Sequence, residues 1–402
     1  MDDQALPEWA MRLRQARLER LLSLKGLARL MRQAAGDDLP LPKTASLCRN
    51  IRFWEKGAYQ PNALYRVLLC KALDLTEAEL FGGEAPKPAT SLRRRALVST
   101  PGREQYGDVL DHLREQWHLL VQRDNLLGPR HTVPAVCEQI TVLEDLLVPA
   151  RGHDRVQVLN LAARYAESAA WLYEDAGDVE QAERWTDRAS MWAYEIGDGE
   201  MIAWTMFRGS QQAMSRRRAG DVLGLAASAL RQSGHLPAPM RAAIVQQQAQ
   251  GHALDSEERA CHRLLDQARE LASPVNDDGD ARSGHGSFCT PAYVEMQRAR
   301  CWLELKKPQR AVATFEHALP ALPSVYRRDR GMALAGLASA YVGQGDPERA
   351  AMTAAEALGI ARAAGSVRII NVLTSVERSL TVHRRLPAVA AFRLALAEAV
   401  AN

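Results

Sequence analysis

Two segments of this 402-residue chain carry the same residue types at the same offsets. In AAWLYEDAGDVEQAERWTDRA they are Ala170, Tyr173, Gly177-Asp178, Ala182 and Ala189. In ASAYVGQGDPERAAMTAAEA they are Ala338, Tyr341, Gly345-Asp346, Ala350 and Ala357. A third segment, ARCWLELKKPQRAVATFEHA, sets Ala299, Trp302, Ala311, Phe315 and Ala318 in the same frame with a changed turn. Small residues at these points let two antiparallel helices approach closely, and the aromatic fills the gap behind them. One such pair cannot bury its apolar face alone, so repeated pairs imply a stack.

The apolar rhythm extends this pattern from about residue 104 onward. It predicts pairs at 104–126 with 132–150, 155–175 with 179–196, 200–218 with 222–233, 238–253 with 256–272, 290–305 with 308–321, and 325–344 with 347–363. A last pair within 366–400 is expected to cap the array. The polar stretch 273–291 reads as a long loop. Its DDGD lacks the glutamate that a calcium loop requires at its end, so a flexible insert is the expectation. The three strong segments resemble the tetratricopeptide repeat, and the resemblance implies an α-solenoid with a concave groove.

Bulk properties leave room for a second domain. The hydrophobic fraction is 47% and the charged fraction 25%, values of an ordinary globular protein. No apolar run is long enough to span a bilayer, and MDDQALPEW lacks the features of a secretory signal. Six scattered cysteines without a CxxC pair point to reduced thiols in a cytoplasmic protein rather than a disulfide framework or zinc site. The net charge of +3 is uneven: residues 12–56 hold 11 Lys+Arg against 4 Asp+Glu. A basic end on an otherwise mildly acidic chain is the footprint of a nucleic-acid-binding module or of a solvated basic face.

The basic end reads as five short helices over residues 1–81, followed by a Gly/Pro/Ser/Thr-rich linker at 82–103. Ser23 is a candidate N-cap for the second helix, GDDLPLPK is a turn, and Thr44 can cap the third helix, which Gly57 ends. In that third helix Leu47, Ile51 and Trp54 share one face. Ala45, Ser46, Arg49, Arg52, Phe53 and Lys56 then fall on the other. A short basic face suits the DNA major groove, where arginine donates in bidentate fashion to guanine.

Leu22-Ser23, Leu27-Ala28, Trp54-Glu55-Lys56-Gly57 and the run from Leu73 to Phe81 stand in the order of the phage-repressor-like (XRE/Cro-type) helix-turn-helix domain, which this fifth of the chain resembles. The sequence departs from that pattern at Leu24, where the family often has glutamine, in a longer turn, and at Phe53. The resemblance implies base or groove contacts from Ser46, Arg49, Arg52 and Phe53, and phosphate contacts from Arg17, Arg20 and Lys56.

The fold expectation is therefore all-α: a five-helix repressor-like domain followed by an α-solenoid over 104–402. First helices of such pairs line the groove, which nominates Asn160, Arg164, Glu167, Arg208, Gln211, Gln247, Gln250, Gln297 and Arg300 for an effector or partner. Trp171, Trp185, Trp192 and Trp204 crowd one region and read as core. No GxSxG, Walker loop, GxGxxG or HExxH occurs, and His252, Cys261 and His262 do not make a metal set, so no enzyme, cofactor or metal is expected. The combined reading is a transcriptional regulator that binds double-stranded DNA as a homodimer. Its repeats self-associate or sense a peptide or small molecule. The alternative is a repeat scaffold whose helix-turn-helix no longer binds DNA.

Overall fold

All regular structure among the described residues is helical, with no strand. The computed structural model describes residues 6–20, 22–35, 44–57, 60–61, 63–81, 103–232, 236–272, 282 and 284–401. The turn expected at 36–43, nearly all of the 82–103 linker and the first part of the 273–291 loop lie outside them. The chain forms two units, Met1–Ser99 and Thr100–Asn402.

The first unit holds α1 (Glu8–Glu19), α2 (Leu24–Ala35), α3 (Thr44–Glu55), α4 (Ala63–Leu73) and α5 (Glu77–Phe81). Short helices need their free N–H groups met at the start. Ser23 Oγ accepts from the Gly26 N–H at 3.0 Å, ahead of α2. Ahead of α5, Thr76 and Glu79 exchange bonds: the Thr76 N–H donates to Glu79 Oε2 at 2.7 Å and the Glu79 N–H to Thr76 Oγ1 at 3.3 Å. Leu13, Leu27, Met31, Leu47, Ile51, Trp54, Leu69, Leu73 and Leu80 form one closed core.

The second unit runs through α6 (Arg103–Leu127), α7 (Pro129–Leu147), α8 (Gly152–Asp175), α9 (Val179–Ile196), α10 (Gly199–Ser215), α11 (Ala219–Gln232), α12 (Ala238–Leu254), α13 (Glu258–Leu271), α14 (Pro291–Glu304), α15 (Pro308–Ala318), α16 (Arg327–Gln344), α17 (Pro347–Ala364), α18 (Val367–Leu380) and α19 (Pro387–Ala401). Consecutive helices pack on one another along the series. The alanines at the shared positions of the three segments (170, 182 and 189; 299, 311 and 318; 338, 350 and 357) are all buried, which is the close approach their spacing demands.

One turn recurs between the paired helices. At 177–178 and 345–346 a left-handed glycine (φ +82° and +79°) ends one helix, and the next residue's N–H bonds five residues back, to Tyr173 O and Tyr341 O. The aspartate then caps the following helix: Asp178 accepts from the Gln181 N–H and Asp346 from the Arg349 N–H, both at 3.1 Å. Where the sequence repeat fades, and in the changed turn of the third segment, the turn persists with Arg217, Ser256 and Lys306 in the left-handed position (φ +58°, +62° and +59°). The bonds from Arg218 to Ala213 O, Glu257 to His252 O and Lys307 to Trp302 O repeat the same pattern.

The stack does not stay open. α6 packs against α17, and α8 against α18, so the first pairs of the second unit meet its last. Gly128, between α6 and α7, sits so close to α17 that a Cβ there would lie 1.7 Å from the Ala364 carbonyl oxygen. Ser366 Oγ donates to Asp175 Oδ1 at 2.6 Å. α18 was expected only to cap the array. It also forms part of this seam, because the superhelix turns far enough to bring both ends together. The expected concave groove thereby becomes a partly open cavity lined from both ends of the stack.

Candidate functional site

The third helix of the first unit has two chemically distinct sides. Leu47, Ile51 and Trp54 are buried, while Ser46, Arg49, Arg52 and Lys56 are exposed. Arg49, Arg52 and Lys56 make no ion pair among the described residues. Three cations without a counter-ion among the described residues, on a pinned helix, present a positive surface to any anionic partner. Phe53 stands among them, 43% exposed. Arg20 is exposed, its guanidinium reaching back to Ala16 O at 3.4 Å.

Arg17 corrects the sequence reading. It was expected to meet phosphate, but only 9% of it is exposed. Its Nε and Nη2 donate to Glu55 Oε1 and Oε2 at 2.5 and 2.8 Å, and Nη1 donates to Leu22 O at 2.8 Å. The hydrogen bonds to Glu55 hold the guanidinium above its ordinary pKa. Arg17 follows Leu13 by four residues, which puts it on the inward stripe of α1. It is a strut between α1 and the end of α3, and its donors are consumed there.

The nine groove candidates separate into two groups. Glu167, Arg208 and Gln211 line the cavity of the second unit, which holds about 190 Å³. Arg208 Nε donates to Glu167 Oε1 at 3.1 Å and Nη1 to Gln211 Oε1 at 2.7 Å. The others do not line it. Gln247, Gln250 and Gln297 are buried: Gln250 Nε2 donates to Gln246 and Gln297 at 2.9 Å each, and Gln247 reaches Ser210 O at 3.4 Å. Arg300 donates to Gln297 at 3.3 Å. These four form a polar seam between first helices, since an amide buried in a helix stack is tolerable only when hydrogen-bonded. Asn160 donates to Asp198 at 2.8 Å, and Arg164 lies 5.9 Å from the Trp117 ring.

Trp171 organises the cavity. Arg208, Arg328 and Arg368 all lie over its ring, at 5.0, 5.5 and 4.6 Å from the ring centre, while its Nε1 donates to Asp124 Oδ2 at 3.3 Å. Arg328 bonds Asp124 through both terminal nitrogens, with Nη1 to Oδ1 at 2.7 Å, and reaches Asp175 Oδ2 at 3.0 Å. Burial works against the Arg328 charge, but the two carboxylates outweigh it and hold its pKa above the ordinary value. Asp329 also lines the cavity, and burial raises its pKa against the pull of Arg368 and Arg328.

Residues 284–288 form one wall. The His285 ring stacks on Trp204 at 4.9 Å between centres and an interplanar angle of 27°. Burial lowers its pKa to about 4, so it is neutral at pH 7. Gly286 anchors the segment, since a Cβ there would meet Pro239 O at 2.5 Å.

Trp171 and Trp204, read from sequence as core, thus both line the cavity, whereas Trp185 and Trp192 do not. Asp124, Arg328, Asp329, Arg368 and His285 were not foreseen. For the four on helices the only sequence signal is charge at positions that helical periodicity turns inward, and His285, in the turns before Pro291, had none. His252 lies 2.6 Å from Glu257, and the His262 ring lies tilted against Trp302 with 3.8 Å between ring centres. Among the described residues no group of His, Cys, Asp and Glu could hold a metal ion, and no helix is long and apolar enough to cross a membrane. The chain matches no family model and no curated protein.

Proposed function

We propose that the chain is a DNA-binding transcriptional regulator of the XRE/Cro type whose second unit is a tetratricopeptide-like body that senses an effector. The observation that carries this reading is the face of α3 that presents Arg49, Arg52 and Lys56, unpaired among the described residues, while Leu47, Ile51 and Trp54 fix the helix from behind. Arg49 and Arg52 read bases in the major groove, with Ser46 and Phe53 beside them. Lys56 and Arg20 meet phosphates. The protein acts as a homodimer on two half-sites about one helical turn apart.

Selection of fragments bound from genomic DNA, followed by titration of the Arg49→Ala/Arg52→Ala double variant, tests the assignment. Specific retention should vanish with helical content unchanged. Unchanged affinity in the double variant overturns the reading face.

The exposed Phe53 favours a second reading, in which α3 docks a protein in place of DNA. Failure of the wild type to retain any fragment at low salt supports that scaffold.

A further inference from the structure

The geometry points to the cavity of the second unit as a binding site for a neutral, flat nitrogen heteroaromatic compound of one or two rings, with an N–H donor beside a carbonyl acceptor, that replaces the His285 imidazole on the face of Trp204. This rests on the proposed effector role of the second unit.

Size is the first argument. At about 190 Å³ the space is a little larger than the roughly 150 Å³ cavity that holds a benzene ring. A short peptide does not fit whole, whereas one or two fused rings do.

Charge is the second. The lining carries three arginines (208, 328 and 368) and three carboxylates (Asp124, Glu167 and Asp329). Glu167 and Asp124 are already bonded to Arg208 and Arg328. A lining with equal numbers of cations and carboxylates gives no net attraction to an ion, and burying an unpaired charge against it is costly.

The unmet hydrogen bonds are the third. Trp204 is only 3% exposed, and its Nε1 has no acceptor. Arg368 Nη2, on another wall, also lacks one. Asp329 makes no hydrogen bond among the described residues. Buried polar groups are normally satisfied, and two lining residues with unmet donors, beside a partly buried carboxylate, mark missing partners. A carbonyl oxygen would serve the donors, and an adjacent N–H would serve Asp329.

The flat shape follows from the walls. Trp117, Trp171, Trp204 and Phe288 line the space, and the His285 ring already stacks on Trp204 as a neutral nitrogen heterocycle. The chain fills its own site with a ring of the proposed kind.

The test titrates full-length protein, without DNA, with isoquinolin-1(2H)-one, its N-methyl derivative and 1-naphthoate, read by calorimetry. The lactam should bind saturably. The N-methyl compound should bind about tenfold more weakly, the effect of one lost hydrogen bond to a carboxylate, and naphthoate should not bind. Trp204→Phe should weaken the lactam several-fold. His285→Ala should strengthen it several-fold, which a purely structural role for His285 would not do. Circular dichroism on both variants confirms that helical content is retained. Absence of saturable lactam binding to both wild type and His285→Ala overturns the proposal, as does tighter binding of naphthoate than of the lactam. Because no DNA is present, failure of DNA retention leaves this result standing, and failure of lactam binding leaves the DNA reading standing.

Discussion

Arg328 Nη1 donates to Asp124 Oδ1 at 2.7 Å across 204 residues of sequence. One bond therefore joins α6, the first helix of the second unit, to α16, which belongs to its last repeats. Asp175 of α8 takes the same nitrogen at 3.0 Å and is itself bonded by Ser366. Through these groups the stack closes on itself, and the closure makes a cavity where an open array would have a groove.

Arg328→Ala should cost about 3–5 kcal/mol, because it leaves buried Asp124 without a cation and Asp175 with only Arg368, 3.4 Å away. Denaturant unfolding of the second unit measures this. A loss below about 1 kcal/mol would mean the pair does not hold the seam.

Gly128 offers a sharper test of closure. It has φ +75°, and a Cβ would lie 1.7 Å from Ala364 O, a backbone atom that no rotamer change can move. Gly152 also has positive φ (+52°) but faces open space. Gly152→Ala should cost about 1 kcal/mol from backbone strain alone. Gly128→Ala should cost at least twice that and part α17 from α6, seen as faster amide exchange on both. Equal costs would contradict the contact.

Protonation of His285 sets a pH dependence. Its folded pKa is lowered from 6.5 to about 4, chiefly by burial, with Glu167 and Asp198 opposing and Arg164 and Arg208 assisting. The unfolded state therefore takes up the proton first. Stability should be full above pH 6.5 and fall as the pH drops from 6.5 towards 4, by roughly 3 kcal/mol at most. The wild type should lose more over that range than His285→Ala. Parallel profiles would show that His285 is not buried as a neutral ring.

Lys56 and Arg17 separate contact from scaffold. Lys56→Ala should leave stability unchanged and reduce the slope of log affinity against log salt by about 0.9. Arg17→Met should lower the stability of the first unit by about 3–5 kcal/mol, because Glu55 is left buried and unpaired. A reduced salt slope in Arg17→Met with normal stability would restore its phosphate role.

The contrast between these residues shows what local pattern reveals. Leu47, Ile51 and Trp54 follow helical spacing, so the orientation of α3 was readable from sequence. Gly177-Asp178 and Gly345-Asp346 announced their turns because glycine and aspartate are the residues that a left-handed end and a cap prefer. At Arg217, Ser256 and Lys306 the same turn forms on residues without that preference; around Arg217 and Ser256 the repeat faded from view, while around Lys306 it stayed visible only through its alanines and aromatics. The Asp124–Arg328 pair had no local trace: nothing within a helical turn of either residue shows that the other lies opposite. The groove candidates divide for the same reason: Glu167, Arg208 and Gln211 line the cavity, while Gln250 and Gln297 are buried where neighbouring first helices pack, and the sequence pattern of one helix does not tell these positions apart.

The most direct measurement is the affinity of full-length protein for its selected DNA fragment, wild type against Arg49→Ala/Arg52→Ala, at two salt concentrations. Each lost bidentate base contact is worth about 1–3 kcal/mol. The double variant should therefore fall at least thirtyfold and lose its preference for the selected fragment over random DNA, with helical content intact. Retained affinity and retained preference would contradict the account of α3 as the reading helix.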